Sequence, residues 1–555
     1  MKKVFTISKV KTVKINSIII MTVLLLTIRA GNIFSQTFQW VQQAGGISSD
    51  YGNGIKVDAV GNSYVTGWFQ DTATFGNFTV IGNGLQDFFI AKYDASGVCQ
   101  WVRQAGSVNN DEGYNVDIDA SGNIYATGGF EGNITFGNIT LNNIGGEDIF
   151  IAKYDASGVL QWAKKAGSSG QGNNITVDPS GNSYITGFFE GTAAFGSFSI
   201  TTNGQQDIFI AKYDSSGICQ WVQKAGSVGF DWAWGISLDK TGNAYVTGSF
   251  KGTAIFGSTS VVSSGDEDIF VAKYNAFGTL QWVEKAGGVG LDAGLSTSVD
   301  SLGNAYVIGN YGGTATFDNV TLSNSGYDDI FVAKYNAAGT LQWVRNAGGA
   351  NPDQGYDIKV TASGHVYVTG TFGSTAAFGT TNFTSTGQWD WDAFIAEYDT
   401  SGTLQWVQKA EGAAWQKIGY GIDVDASGNI YATGVFRSTC SFGSITLTSD
   451  SASSDVFVAK ISAGPAAIAE NNLLSTTVSV YPNPFSISTT INIDSKLELK
   501  NAEIIIYDLL GKKVKKSPIV SNLSLIERDN LVSGIYFYQL TNTNQIIGTG
   551  KLIIQ

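Results

Sequence analysis

Histidine occurs once in this 555-residue chain, cysteine three times and proline six times. A single histidine, His365, cannot build the multi-histidine ligand sets of zinc sites, and a Ser-His-Asp triad would have to run through it. The three cysteines show neither a disulfide framework nor metal-ligand spacing: Cys99 and Cys219 recur at one repeat position and Cys440 stands alone. No phosphate-cradling glycine motif leads from a strand into a helix, and no segment has a helical period. Charged residues make up only 14% of the chain, and bases are the scarcer sign, with a net charge of −13 overall and −21 over residues 36–470. Such a surface repels nucleic acid and anionic membranes. Apart from Ile18–Ile28 no apolar run could cross a bilayer as a helix, and that run is short for the purpose. It follows Lys2, Lys3, Lys9, Lys11 and Lys14 and precedes Ser35-Gln36. Residues 1–35 therefore read as a secretory signal, and no transmembrane segment is expected in the mature chain.

What the chain does have is repetition. Gln-Trp recurs with tryptophans at 40, 101, 162, 221, 282, 343 and 406, in steps of 61, 61, 59, 61, 61 and 63 residues. A fixed period means one structural unit copied in tandem. In the second unit, residues 115–119 alternate as a strand does, 120–123 form a turn, and 124–128 form a second strand. A longer connection leads to a third strand at 148–155, and Leu160–Ala163 gives the fourth. Four antiparallel strands per unit, seven times over, predict a β-propeller. The seventh unit lacks a Gln-Trp strand, whereas an unattached one, Phe38–Val41, opens the array. The N-terminal strand is expected to complete the last blade and close the ring, which removes exposed sheet edges. The predicted architecture is thus all-β: a seven-bladed propeller over 36–461, a linker over 462–476, and a small β-sandwich over 477–555.

The runs Asp58…Gly67, Asp178…Gly187 and Asp239…Gly248 share the pattern Asp-x-x-Gly-Asn-x-Tyr-x-Thr-Gly, and Phe-Ile-Ala-Lys-Tyr-Asp recurs at 89–94, 150–155 and 209–214. On these motifs residues 37–461 resemble the SBBP-type bacterial propeller repeats. Unit five departs with Ile308, and unit six with Thr361, His365 and Glu397. The resemblance implies a fold and no single activity. At the C-terminus come Val480-Tyr-Pro-Asn-Pro-Phe485, Ile504…Gly511 and Leu531…Tyr538. These phrases, carrying Pro482, Asn483, Pro484, Gly511, Gly534 and Tyr536, resemble the sorting domain of the type IX secretion system of Bacteroidetes. The resemblance implies that the secretion machinery is a partner, and that the chain is secreted or anchored at the outer-membrane surface after removal of its signal and sorting segments.

Inventory alone does not remove acid–base glycosidase chemistry, because carboxylates abound. The aspartates that open the third strand (87, 148, 207, 268, 329, 392 and 455) recur in every unit. A catalytic pair must be unique, so hydrogen bonding between blades is the expected role of these seven. Residues 117–122 and 423–428 begin like an EF-hand loop, but Gly128 and Gly434 stand where the closing glutamate belongs, which predicts a hairpin turn. No catalytic residue, metal or cofactor is assigned. Trp68, Trp232, Trp234, Trp389, Trp391 and Trp415 break the repeat, with Asp231 and Asp390 beside them. They fall in or beside the connections of one face and are expected to form a recognition surface for a glycan or protein. Three functions stay open: a non-catalytic binding or adhesion module, a hydrolase with carboxylates on that face, and a surface coat. Unique carboxylates converging near the channel would favour the hydrolase, exposed indoles without such a pair the binding module, and buried indoles the coat.

Overall fold

The structure, a computed structural model, describes residues 36–167, 169–385, 390–412, 416–450, 453–462, 478–493, 499–508, 512–542 and 545–555. The segments expected to be the signal and, except for Ser462, the linker lie outside the described residues, as do Trp389, Trp415 and Gly511. The chain divides into two compact units, Met1–Gly464 and Pro465–Gln555. Every element of regular structure named along it is a strand.

In the larger unit each repeat supplies four antiparallel strands. In the first repeat they are Asp50–Val57, Ser63–Phe69, Asp87–Tyr93 and Cys99–Gly106, paired in that order. Seven such sets follow one another. The last is completed from the other end of the chain, where Phe38–Gly46 pairs with Ser454–Ile461 and Val41 lies opposite Ala459. Seven clusters of buried hydrophobic side chains lie between neighbouring sets rather than within them. One of these joins last to first, packing Tyr431, Val456 and Val458 against Ile55, Val65 and Phe69. Because both faces of a middle strand meet a neighbour, Ser63–Phe69 is buried at every position. The three cysteines are buried in separate clusters.

The repeated residues are the fastenings. The indole of Trp40 donates to the Ala95 carbonyl at 3.1 Å and packs edge-on to Tyr431, tying the last set to the first. Trp162, Trp221, Trp282 and Trp343 repeat that bond one unit further on. Thr66 Oγ1 donates to the Phe89 carbonyl at 2.8 Å, and Thr127, Thr186, Thr247, Thr369 and Thr433 do the same in their units. Ile308, the exception, is buried in an apolar cluster instead. A Cβ on the following residue, Gly67, would lie 1.8 Å from the Tyr51 carbonyl oxygen, so the two strands approach only because none is there.

The connection between the second and third strands is not a plain link. It forms a strand pair, Thr72–Phe75 with Phe78–Ile81, and Thr72–Phe75 adds to the outer strand of the preceding set, with Ala44 opposite Phe75. The same addition occurs in the second, fourth, fifth, sixth and seventh repeats. The third repeat makes no such pairing among the described residues.

The smaller unit has a three-stranded sheet (Val478–Tyr481, Ser488–Ile493, Leu523–Glu527) and a four-stranded one (Ala502–Tyr507, Lys513–Ile519, Gly534–Asn542, Gln545–Ile554). The two share one core, in which Ile491 and Ile526 of the first meet Ile504, Leu540 and Leu552 of the second. Asn483 binds the final strand at both ends of its amide, donating to the Lys551 carbonyl and accepting from the Ile553 amide, each at 2.7 Å. The Pro482 carbonyl accepts from Thr489, and Tyr536 is buried with its hydroxyl on the Val532 carbonyl. Gly534 opens its strand on an exposed position.

Candidate binding site at the channel mouth

The first strands of all seven sets line a central channel. Each carries an irregularity of register near its start, between Gly52 and Gly54 in the first and between Ala233 and Gly235 in the fourth. An extra residue at such a bulge leaves the pairing and can be re-aimed. Here the extra residues are Asn53, Tyr114, Asn173, Trp234, Leu295, Tyr356 and Tyr420, one per repeat, and all line a cavity of about 510 Å³ at the channel mouth. The small residue before each bulge is what the close packing of the ring permits. A Cβ on Gly52 would lie 2.5 Å from Thr433 Oγ1 of the neighbouring set.

The mouth has an aromatic side and an amide side. Trp68 stacks on Tyr51 with centroids 4.4 Å apart and planes at 14°. Tyr51 then meets Tyr420 at 6.2 Å, and Tyr420 meets Tyr356 edge-on at 5.0 Å. Gln171, Asn173, Asn174 and Asn310 supply carboxamides elsewhere in the lining. Asn53 and Asn173 each donate to the backbone of the next bulge, on Gly113 and Ala233, at 2.9 Å. The charged lining residues are Glu112 and Asp357, and neither lysine nor arginine is among them. Asp357 accepts from Ser296 Oγ at 2.6 Å and from the Ile422 amide at 2.8 Å, which ties three sets together. Burial pushes its pKa up to about 6.

Beside the mouth lies a group that sequence reasoning missed. Gln171 Nε2 donates to Glu147 Oε2 at 2.7 Å and to the Tyr114 hydroxyl at 3.0 Å. Burial, with the charges of Glu112 and Glu131, pushes Glu147 up to about 8, and burial raises Glu112 also. Neither glutamate occupies a position that is acidic throughout the repeats: Tyr51 and Gln171 stand where Glu112 does, and Gln86 and Gln206 stand where Glu147 does.

Further along, the channel narrows to a polar bore of about 100 Å³. Lys56 bridges Asp117 at 3.0 Å and Asp423 at 3.8 Å, and Lys359 reaches Asp423 at 2.8 Å. Burial works against these charges, but the two carboxylates outweigh it and hold Lys56 above the usual lysine range. The turn aspartates behave as a hairpin reading requires: Asp119 Oδ1 accepts the amides of Ser121 and Asn123 at 2.9 Å.

Of the tryptophans predicted to form one surface, the mouth unites Trp68 and Trp234. None of the four described stands in a loop: Trp68 lies in a second strand, Trp232 and Trp234 in a first strand, and Trp391 begins a third. Trp232 adjoins the mouth, edge-on to Trp234 at 5.8 Å, but its indole donates to Gln206 at 2.6 Å. Trp391 and the half-buried Asp390 are not among the mouth residues. Asp231 is fully buried and holds the amides of Ser227 and Lys251 at 2.6 and 3.0 Å, so it serves the joint between sets. The third-strand aspartates meet the expectation in part. Asp87, Asp148, Asp207, Asp268 and Asp329 each accept an amide from four residues earlier in their own unit, and Asp455 accepts from Gln43 of the adjoining strand in its own set. Contacts across a joint are made by Asp148, which accepts the Ser169 amide at 3.2 Å, and by Asp392, 3.1 Å from Lys417 of the next set. His365 sits on its turn with Nδ1 2.6 Å from Glu397 Oε1. Glu397 replaces the lysine that lies over a tyrosine ring in the other units, as Lys153 does over Tyr125.

A family model described as a secretion system C-terminal sorting domain matches residues 479–555, and one described as a beta-propeller repeat matches 39–68, 100–128 and 161–187. The sorting domain marks the chain for export to the cell exterior or its surface, and no helix among the described residues is long and apolar enough to cross a membrane. The uncharacterized WD repeat-containing protein L264 of Acanthamoeba polyphaga mimivirus is 22% identical over 72% of this chain, which spans 36% of that relative's length. The regulatory protein FlaEY of Caulobacter vibrioides is 28% identical over 28% of this chain and 16% of its own length. Among solved structures, PorZ of Porphyromonas gingivalis, an essential surface component of the type-IX secretion system of that bacterium, is 12% identical with a TM-score of 0.29, covering 92% of this chain and 75% of its own. A gluconolactonase of Xanthomonas campestris is 8% identical with a TM-score of 0.28, covering 76% of this chain and 99% of its own. Neither structural likeness bears on activity.

Proposed function

Because this chain carries SBBP beta-propeller repeats and ends in a type IX sorting domain, we propose that it is an exported binding or adhesion module whose propeller holds a glycan or a protein at the channel mouth without turning it over. The observation that carries the reading is the bulge series. A repeat copied seven times gives identical residues wherever they serve the fold, yet at the bulge it gives Asn, Tyr, Asn, Trp, Leu, Tyr and Tyr, all lining one cavity. Variation at the position that leaves the sheet is what a recognition surface on a rigid scaffold requires. Cavities of a few hundred Å³ or more with aromatic walls and a few fixed polar groups are the usual form of ligand sites.

Tryptophan emission of the full chain, titrated with polysaccharides and matrix proteins, tests this. A saturable change should be abolished by Trp234→Ala and retained by Trp391→Ala, with both variants folded. A response that survives loss of Trp234, or no response to any ligand, would sink the reading. A second reading has its own observation, the carboxyls of Glu112 in the mouth and Glu147 beside it, both raised by burial. A glycan-active hydrolase would release new reducing ends from a bound polysaccharide, and Glu147→Gln would stop that release while sparing binding.

A further inference from the structure

Resting on the binding reading, we infer that the mouth receives the end of a neutral carbohydrate chain, inserted along the ring axis to a depth of about three sugar residues. Size sets the depth. A cavity that holds one six-membered ring has a volume of roughly 150 Å³. The mouth, at about 510 Å³, takes about three such rings, and the bore beneath it, at about 100 Å³, takes none. A chain entering from the mouth therefore stops above the Lys56–Asp117 and Lys359–Asp423 pairs.

Chemistry sets the class. A sugar ring has an apolar C–H face and an edge of hydroxyls that both donate and accept. Tyr51, backed by the buried Trp68, and Tyr420 and Tyr356 are half-buried aromatic rings contributed to the lining by three adjacent units. The carboxamide of Asn310 carries both donors and an acceptor, and Gln171, whose two N–H groups are held by Glu147 and Tyr114, adds its carbonyl as an acceptor. Charge excludes the acidic sugars. The mouth has two carboxylates and no base, so uronic, sulfated or phosphorylated chains are repelled.

A peptide fits less well. Extended peptides gain affinity by adding to a free strand edge. At the level of the bore, inner-edge amides are already taken by side chains of neighbouring units, Val57 by Asp423, Val177 by Asp117 and Ile422 by Asp357, so a peptide edge finds no continuous partner past the mouth.

The experiment is calorimetric titration of the full chain with linear gluco-, manno- and xylo-oligosaccharides of one to six residues, with oligogalacturonate and unstructured hexapeptides alongside. One neutral series should bind, tighten tenfold or more up to three residues, and change less than twofold from three to six. Tyr420→Ala should weaken it at least tenfold, and Trp391→Ala should leave it unchanged. Affinity that keeps rising to six residues would place the polymer across the face and overturn end-on insertion, leaving the binding reading intact. Peptide or oligogalacturonate binding that Tyr420→Ala abolishes, with no neutral sugar bound, would overturn the ligand class alone. Failure of every probe, or binding indifferent to Tyr420→Ala, would overturn both.

Discussion

Replacing Asp87 by asparagine should make the propeller less sensitive to alkali, not simply less stable. Asp87 opens a third strand, Asp111 opens the first strand of the next unit, and both are fully buried at the joint between them. Asp87 Oδ2 accepts the amides of Asn83 and Gly84, and Asp111 Oδ2 that of Ser107, but Oδ1 of each is buried without a donor. The strand position that carries Lys165 at the next joint carries Gln104 here, so no cation offsets the pair. Burial raises Asp87, and burial with the charge of Asp87 pushes Asp111 up to about 7. A carboxyl whose pKa is higher folded than unfolded lends stability below its unfolded pKa of about 3.9. That stability is lost as pH climbs through the folded value. At about 1.4 kcal/mol per pK unit, Asp111 costs the fold at most roughly 4 kcal/mol between pH 4 and pH 8. An asparagine at 87 removes one charge and can turn an N–H toward Asp111 Oδ1, so most of that loss should vanish. All 13 tryptophans precede residue 416, so tryptophan emission during urea unfolding reports the propeller alone. Wild type should unfold at markedly lower urea at pH 8 than at pH 5, and Asp87→Asn should narrow the gap. The repeat supplies a control: Asp148 meets Lys165 at 2.6 Å, with Gly170 where Asp111 would stand. Asp148→Asn should destabilise at both pH values. If Asp87→Asn instead lowers the midpoint equally at pH 5 and pH 8, the pair is ionised in the native state and the reasoning fails.

Three further perturbations follow from single contacts. Lys417 and Asp392 are both fully buried and 3.1 Å apart. Lys417→Met should cost about 3–5 kcal/mol in urea unfolding by stranding the carboxylate, and adding Asp392→Asn should recover much of it. Gly309→Ala puts a Cβ 1.9 Å from the Ala293 carbonyl oxygen, so a loss above about 4 kcal/mol, or no soluble protein, is expected. Asn483→Ala removes both bonds to the final strand, at about 1 kcal/mol each, and faster hydrogen exchange at the Ile553 amide is the readout.

The parts of this fold legible in the sequence are those where one residue type serves the same contact in every copy. Tryptophan at the outer strand, Thr-Gly in the second strand and glycine in the turns repeat because the joints repeat, and the stray strand at Phe38–Val41 announced its partner by lacking one. The short hairpin between the second and third strands escaped notice. Its alternation, visible in Thr72-Ala-Thr-Phe75, is brief, and its partner lies in the preceding unit. The mouth escaped for a different reason. A bulge is a question of register, and register is set by two strands together, so Tyr114, Tyr356 and Tyr420 looked like ordinary strand tyrosines. Tryptophan drew attention because it is rare, which found Trp68 and Trp234 but also Trp391, away from the site. Glu112 could have been found by asking which acids fail to repeat; Glu147 could not, because Glu267 and Asp328 stand at its position in other units.

The hairpin that most repeats lend to the sheet before them changes what counts as a part. Wherever that loan occurs, the sheet is the product of two repeats, and a cut at that boundary strips a hairpin from the sheet before it. Among the described residues the boundary between the second and third repeats is the seam without such a loan. A permuted chain is a different matter. Because the contact between neighbours is the same at nearly every joint, a version opened at one of the exposed Asp-x-Ser-Gly turns, with its old ends joined through Phe38–Gly46, would rebuild the same set of pairings from a new starting point. The ring specifies adjacency, and the place where the polypeptide begins is arbitrary.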